Sequence, residues 1–253
     1  MTPPAKTLRQ ILVKIQENER LRRPSLAVFD LDSTLFDVGP RLEKILMDFA
    51  DLPESQKKFP DQVPVFKNIK IEKKDWGIKD ALIRAGLDGH HPEFQDSVRE
   101  FWRRTFFSNE YLEYDVPYPG AVEYVKTIAD AGAEIAYLTG RDVHRMGPGS
   151  KTVLEKWGFP VNDRARLELK PQREIEDAGF KTNWFLNLPQ SHYGSIWFFE
   201  NEPVNINHMI EEAAHMAPPV EIVFFDSTHS RRADPPEDIP RIMHFLLEDD
   251  EDN

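Results

Sequence analysis

The stretch Leu26-Ala27-Val28-Phe29-Asp30-Leu31-Asp32-Ser33-Thr34 opens on consecutive apolar residues and closes on two carboxylates and two hydroxyls. Apolar residues at successive rather than alternate positions predict a strand buried on both faces, as in a parallel sheet covered by helices. Four further runs of this kind lie at 134–139, 167–169, 195–200 and 220–226, separated by helix-like stretches. The expected class is doubly wound α/β with five strands.

The helices between the last four strands have readable ends. Residues 121–131 carry Val122, Val125, Ile128 and Ala129 on one face and stop at Gly132; residues 150–157 carry Val153, Leu154 and Trp157 and stop at Gly158. Between the first and second strands about 100 residues intervene where a crossover needs a few tens. The excess, 38–116, has helical stripes of its own: Leu42, Ile45, Leu46 and Phe49, then Phe94, Val98, Phe101, Trp102 and Thr105. A core of 1–37 and 117–253 with a mostly helical insert at 38–116 is expected. Packing of those stripes on the main sheet as ordinary core helices is the alternative. Leu8, Ile11, Leu12 and Ile15 mark an N-terminal helix on the core.

With 32 basic and 44 acidic residues among 253, the net charge is −12. Such a field repels nucleic acid and anionic lipid unless a local basic patch reverses it. The absence of cysteine excludes disulfides and thiolate catalysis. No apolar run approaches the roughly 20 residues of a membrane span, and residues 1–16 lack a secretory apolar segment, so a cytoplasmic protein is expected. Glu248, Asp249, Asp250, Glu251 and Asp252 read as a solvated tail.

Ligands of open parallel sheets bind beyond the carboxyl ends of the strands. Asp30 and Asp32 fall there, although Asp also serves simply as a turn residue after a strand. The second strand ends in Thr139-Gly140-Arg141-Asp142, a hydroxyl, an open backbone amide and a guanidinium suited to phosphoryl oxygens. The fourth ends in Glu200-Asn201-Glu202, oxygen donors suited to a hard cation. Arg141 and Asp142 either orient substrate or pair with each other. Asp226 and His229 follow the fifth strand and read as turn residues, with a place in the cleft lining as the alternative. His90, His91, His208 and His215 form no convincing ligand set.

Here the chain resembles the haloacid dehalogenase-like superfamily of phosphohydrolases. Asp30-Leu31-Asp32-Ser33-Thr34 matches the first motif, Asp-x-Asp-x-Thr, and the strand ending in Thr139 matches the second. Tyr118-Pro119-Gly120 is a familiar lead-in to that strand, and the insert falls where the family carries a helical cap. The resemblance implies a Rossmann-like core and a phosphatase acting on a small phosphorylated molecule, with Mg²⁺ held by Asp30, the carbonyl of Asp32 and Glu200. Asp30 would be the nucleophile, forming an aspartyl-phosphate, and Asp32 the acid and base. Thr139 and the amide of Gly140 would hold phosphoryl oxygens, with Thr34 and Arg141 nearby. The motif-three lysine is Lys181 or Lys170, the other being a substrate contact. Asp at position 32 disfavours the dehalogenase and ion-pump branches. A phosphomutase or phosphotransferase, or a non-catalytic binding protein on this fold, are the alternatives; the unusual Glu200 motif supports the last.

Overall fold

The computed structural model describes residues 3–66, 69–87 and 92–248. His90, His91 and the acidic residues after Glu248 lie outside the described residues. From the N-terminus the elements are α1 (Pro4–Arg20), β1 (Ser25–Phe29), β2 (Phe36–Asp37), α2 (Gly39–Asp51), α3 (Pro53–Lys58), α4 (Val63–Phe66), α5 (Ile78–Arg84) and α6 (Pro92–Thr105). A short 3₁₀ helix (Glu110–Tyr114) precedes β3 (Val116–Pro117), α7 (Ala121–Asp130), β4 (Ala133–Asp142) and α8 (Val143–Trp157). There follow β5 (Ala165–Lys170), α9 (Asp177–Leu186), β6 (Ser195–Glu200), α10 (Pro203–Glu212), β7 (Val220–Phe225) and β8 (Arg241–Ile242).

The main sheet is parallel throughout, in the order β5-β4-β1-β6-β7-β8. It has six strands rather than the expected five, because β8 is two residues long and too short to leave a pattern in the sequence. Strand β1 is central and wholly buried, as its unbroken apolar run requires. Its register sets Phe29 beside Tyr137 of β4 and Phe199 of β6, so Asp30 leaves the sheet between those two strand ends.

One face of the sheet is covered by Leu8, Ile11 and Ile15 of α1 with Tyr124, Val125 and Ile128 of α7 and Val153 and Leu154 of α8. The other is covered by Phe185 of α9 with Ile206 and Met209 of α10. Helix α8 starts at Val143, earlier than the sequence suggests. The Asp142 carboxylate caps it, and Gly149, next to the internal Pro148, gives its N–H to Asn109 Oδ1 at 2.7 Å.

The chain leaves and re-enters this core through the antiparallel pair β2–β3, Phe36 opposite Pro117 and Asp37 opposite Val116. Between them, Leu42, Leu46, Phe49, Phe94 and Val98 form a hydrophobic core separate from those of the sheet. The helical stripes of the insert therefore pack on each other. No described helix is long and apolar enough to cross a membrane.

Candidate active site

Four residues after β1 ends, the backbone turns sharply. Ser33 adopts φ 63°, a left-handed conformation that crowds any Cβ, and its N–H is held by the Phe36 carbonyl at 2.8 Å. Asp30 is left buried at the sheet edge. Lys181, from the first turn of α9, places its ammonium 2.6 Å from Asp30 Oδ1 and 2.6 Å from Glu200 Oε2. Burial raises the Asp30 carboxyl, Lys181 pulls it down and Glu200 pushes it up again, leaving it at about 7. Burial alone would lower the Lys181 ammonium, but the two carboxylates outweigh it and raise it.

Asp32 has a different environment. Arg141 reaches it with Nε at 3.1 Å and Nη2 at 2.7 Å, and Arg41 of α2 binds the same carboxylate. Both guanidiniums also bind the buried Asp115, Arg41 Nε at 2.7 Å and Arg141 Nη2 at 2.7 Å. Burial pushes the Asp32 carboxyl up, but the two guanidiniums prevail and hold it well below the usual carboxylate range. As placed, Asp32 is an ionised, clamped carboxylate, not a proton donor. Arg141 therefore does not pair with Asp142, which instead binds Arg145 at 2.7 Å. Sequence reasoning missed Arg41 and Asp115. The available signal was Arg41 adjoining the Leu42, Ile45, Leu46 stripe, since a charge beside a buried helix face needs a buried partner.

The remaining expected residues divide. Thr139 and Gly140 lie at the end of β4, and the Thr139 hydroxyl accepts from the Arg141 N–H at 3.3 Å. A Cβ on Gly140 would lie 2.4 Å from Asp177 Oδ2, so glycine leaves room here for the Asp177 carboxylate at the start of α9. Thr34 donates its hydroxyl to Asn201 Oδ1 at 3.0 Å, tying the turn after β1 to the end of β6. Lys170 is occupied elsewhere: its ammonium binds Asp177 Oδ1 at 2.6 Å and the carbonyls of Ile175 and Arg173. Of the two lysines, Lys181 is the one brought to Asp30. His208 bonds Thr182 at 2.9 Å.

Of the expected Mg²⁺ ligands, Glu200 is occupied as placed. A carboxylate has about four lone-pair positions, and those of Glu200 are filled. Oε1 accepts from the N–H groups of Asn201 (3.0 Å) and Glu202 (2.9 Å), Oε2 from Lys181 and from Asn205 Nδ2 (3.2 Å). The arginines occupy the Asp32 carboxylate and not its carbonyl, the expected ligand. Among the described residues no group of three or more His, Asp or Glu side chains is disposed to hold a metal ion. Glu200 is here an anchor for Lys181 and for the turn into α10, and the backbone N–H groups of Asn201 and Glu202 orient it.

Over this edge, between insert and core, opens a cleft of about 720 Å³ that reaches Asp32, Ser33 and Asn201 and is also lined by Asp226 and His229. The lip of the insert is fastened to the loop after β7: Lys73 pairs with Asp226 at 3.2 Å, Thr228 bonds the Lys73 carbonyl at 2.8 Å, and Arg231 meets Asp80 at 2.9 Å.

Among solved structures the chain is similar to a haloacid dehalogenase superfamily hydrolase from Ehrlichia chaffeensis (10% identity, TM-score 0.47, covering 88% of this chain and 93% of that one). A subfamily IA hydrolase from Geobacter sulfurreducens gives 11% identity, a TM-score of 0.48 and coverage of 88% and 93%. A predicted phosphatase from Clostridium acetobutylicum gives 13%, 0.46, and 83% and 88%. No curated protein matches the chain. The family model of haloacid dehalogenase-like hydrolases matches residues 24–155, from the start of β1 through the motif strand β4 and into α8. That span is just over half of the 253 residues, and the chain belongs to the haloacid dehalogenase-like hydrolase family.

Proposed function

We propose that the chain is a phosphatase that hydrolyses a phosphate monoester of a small molecule through an aspartyl-phosphate on Asp30. The observation that carries this reading is the ammonium of Lys181, 2.6 Å from both Asp30 and Glu200 in a buried setting. It is a fixed cation at a carboxylate that stands beyond the central strand, where ligands of such sheets bind.

In the reaction an Asp30 oxygen attacks phosphorus while the bond to the leaving oxygen breaks. Water then cleaves the aspartyl-phosphate, which releases inorganic phosphate and restores Asp30. Two like charges 4 Å apart repel by about 4 kcal/mol at an effective dielectric near 20. Lys181 offsets that repulsion as the phosphate approaches. Thr139 and the Gly140 N–H supply donors for phosphoryl oxygens. Asp32 serves the leaving oxygen only once released from Arg141 and Arg41, since a clamped, ionised carboxylate has no proton to give. Haloacid dehalogenase-like hydrolases generally use Mg²⁺, whose Lewis acidity neutralises phosphoryl charge. A carboxylate of Glu200 is not free to bind it in the present arrangement.

The filled acceptors of Glu200 and the clamped Asp32 favour a second reading, a non-catalytic binding protein on the same fold. Release of inorganic phosphate from a panel of phosphate esters separates the two. Wild-type turnover that falls more than about 1,000-fold in Asp30→Asn, with the fold intact by circular dichroism, is expected of a lost nucleophile. Equal turnover by both proteins refutes the phosphatase mechanism, and no turnover by either favours the binding protein.

A further inference from the structure

We propose that the cleft between the insert and the sheet edge takes a bulky, apolar, aromatic-rich leaving group, so that the substrate is an ester of an aromatic or polycyclic alcohol rather than of a small polyol. This rests on Asp30 being the reacting carboxylate. The cleft is continuous with the site through Asp32, Ser33 and Asn201, and its walls include Trp76, Ile78, Trp102, Phe106 and Phe107 from the insert and Tyr118 from the core.

Size is the first argument. About 720 Å³ lies well inside the range of pockets that enclose ligands of drug size, about 300–1,000 Å³. A polyol of a few carbons would leave most of that volume without contacts.

The second argument is polar accounting. The acidic residues lining the cleft already have partners within the protein. Asp37 accepts the Gly39 N–H, Asp75 and Glu72 bind Arg84, Asp226 binds Lys73 and Arg241, and Glu202 binds Ser230. The hydroxyls of Ser227 and Thr228 are given to the carbonyls of Ser33 and Lys73. The exposed side chains of Lys79, Arg99 and Arg103 also line the cleft and offer donors, but the hydroxyl hydrogens of a polyol would meet few open acceptors, and each unmatched polar group buried on binding weakens the complex. Aromatic rings meet a matching surface instead: the Trp102 ring lies 5.3 Å from Phe106 and 5.6 Å from Phe107.

The third argument is exposure. Trp76, 52% exposed, and Met243, 54% exposed, both line the cleft, one from each side. Apolar surface left open at a cleft is a mark of ligand binding.

The test uses product alcohols first, so that binding is read without catalysis. With the Asp30→Asn protein, quenching of tryptophan fluorescence by 2-naphthol is compared with that by glycerol. Burial of two rings predicts at least about 100-fold tighter binding of 2-naphthol, and about a tenfold loss of that affinity in a Trp76→Ala background. With the wild type, kcat/KM is compared for 2-naphthyl phosphate and glycerol 2-phosphate; the naphthyl ester is expected to be preferred by a similar factor. Binding of 2-naphthol that depends on Trp76 supports the cleft even where neither ester is hydrolysed, an outcome that counts against the phosphatase reading alone. Equal affinity for the two alcohols, affinity indifferent to Trp76, or equal kcat/KM for the two esters overturns the proposal.

Discussion

Replacing Lys181 by Met keeps a long unbranched side chain and removes its charge. In the native arrangement the ammonium is 4% exposed and contacts Asp30 and Glu200, themselves 7% and 1% exposed, at 2.6 Å each. Without it two buried carboxylates face each other with no cation between them. Removing one partner of a buried ion pair costs about 3–5 kcal/mol, against a typical total stability of about 5–15 kcal/mol. The loss depends on pH. Asp30 titrates at about 7 in the folded protein and at about 3.9 in an unfolded chain. A carboxyl raised by folding contributes stability that is complete below the unfolded value and is lost as pH rises through the folded one.

In Lys181→Met the cation that pulls Asp30 down is gone, so its folded value climbs further above 7 and the variant keeps losing stability where the wild type has levelled off. The gap between the two proteins is therefore smallest near pH 5 and widens toward pH 8.5. It grows by up to about 1.4 kcal/mol for each unit by which the carboxyl is raised. Urea unfolding at pH 5, 7 and 8.5 in the presence of a chelator measures it. A difference below about 1 kcal/mol that does not change with pH is what a solvated surface lysine gives, and would refute the assignment.

Three shorter predictions follow from contacts elsewhere. Gly140→Ala pushes a methyl to 2.4 Å from Asp177 Oδ2, so it loosens the Lys170–Asp177 tie and costs about 1–3 kcal/mol in thermal unfolding. The buried Trp102 indole N–H has no partner among the described residues, so Trp102→Phe is expected to stay within about 1 kcal/mol of wild type, or above it. Trp102→Ala loses about 2–3 kcal/mol, less than a fully buried ring, because Trp102 is only partly buried. Arg41→Lys replaces a guanidinium that reaches both Asp32 and Asp115 with an ammonium that lacks the planar fork, and is expected to lower stability by about 2–3 kcal/mol in urea. Unchanged unfolding midpoints in that variant would show the cluster to be slack.

The sheet was legible because β1, β4, β6 and β7 are buried on both faces and so apolar at consecutive positions. β8 escaped notice because its two residues, Arg241 and Ile242, have no periodicity to read. Asp30, Asp32 and Thr139 were placed at the sheet edge from motif order, which follows the chain, and Lys181 was one of two lysines that order allowed. What decides their chemistry does not follow the chain. Arg41 and Asp115 are 74 positions apart and meet only because β2 and β3 bring the two ends of the insert together. Glu200 was correctly placed at the sheet edge and wrongly expected to be a free donor. Its acceptors are filled partly by backbone N–H groups of the turn it begins, and such bonds leave no trace in residue identity.

The charges of the site separate into two groups of different sign balance, and this accounts for the behaviour of the two motif carboxylates. Arg41 and Arg141 with Asp32 and Asp115 form a self-neutral set in which each carboxylate is held by more than one guanidinium contact; Asp32 stays ionised, while deep burial still raises Asp115. Lys181 stands alone against Asp30 and Glu200. Burial penalises the one negative charge left over, and the cheapest remedy is a proton. Glu200 is fixed by two backbone N–H donors and an asparagine, and burial together with the Glu200 charge raises the Asp30 carboxyl by more than Lys181 lowers it. A carboxyl near 7 rather than near 4 follows from that asymmetry. In the proposed reaction the same asymmetry has opposing effects: near neutral pH an approaching phosphate meets an Asp30 that is partly uncharged and repels it less, while only the ionised fraction attacks. Turnover limited by this step rises with pH through about 7. A rate that is flat from pH 5.5 to 8.5 would place the limiting step elsewhere or show that another cation has taken up the unbalanced charge.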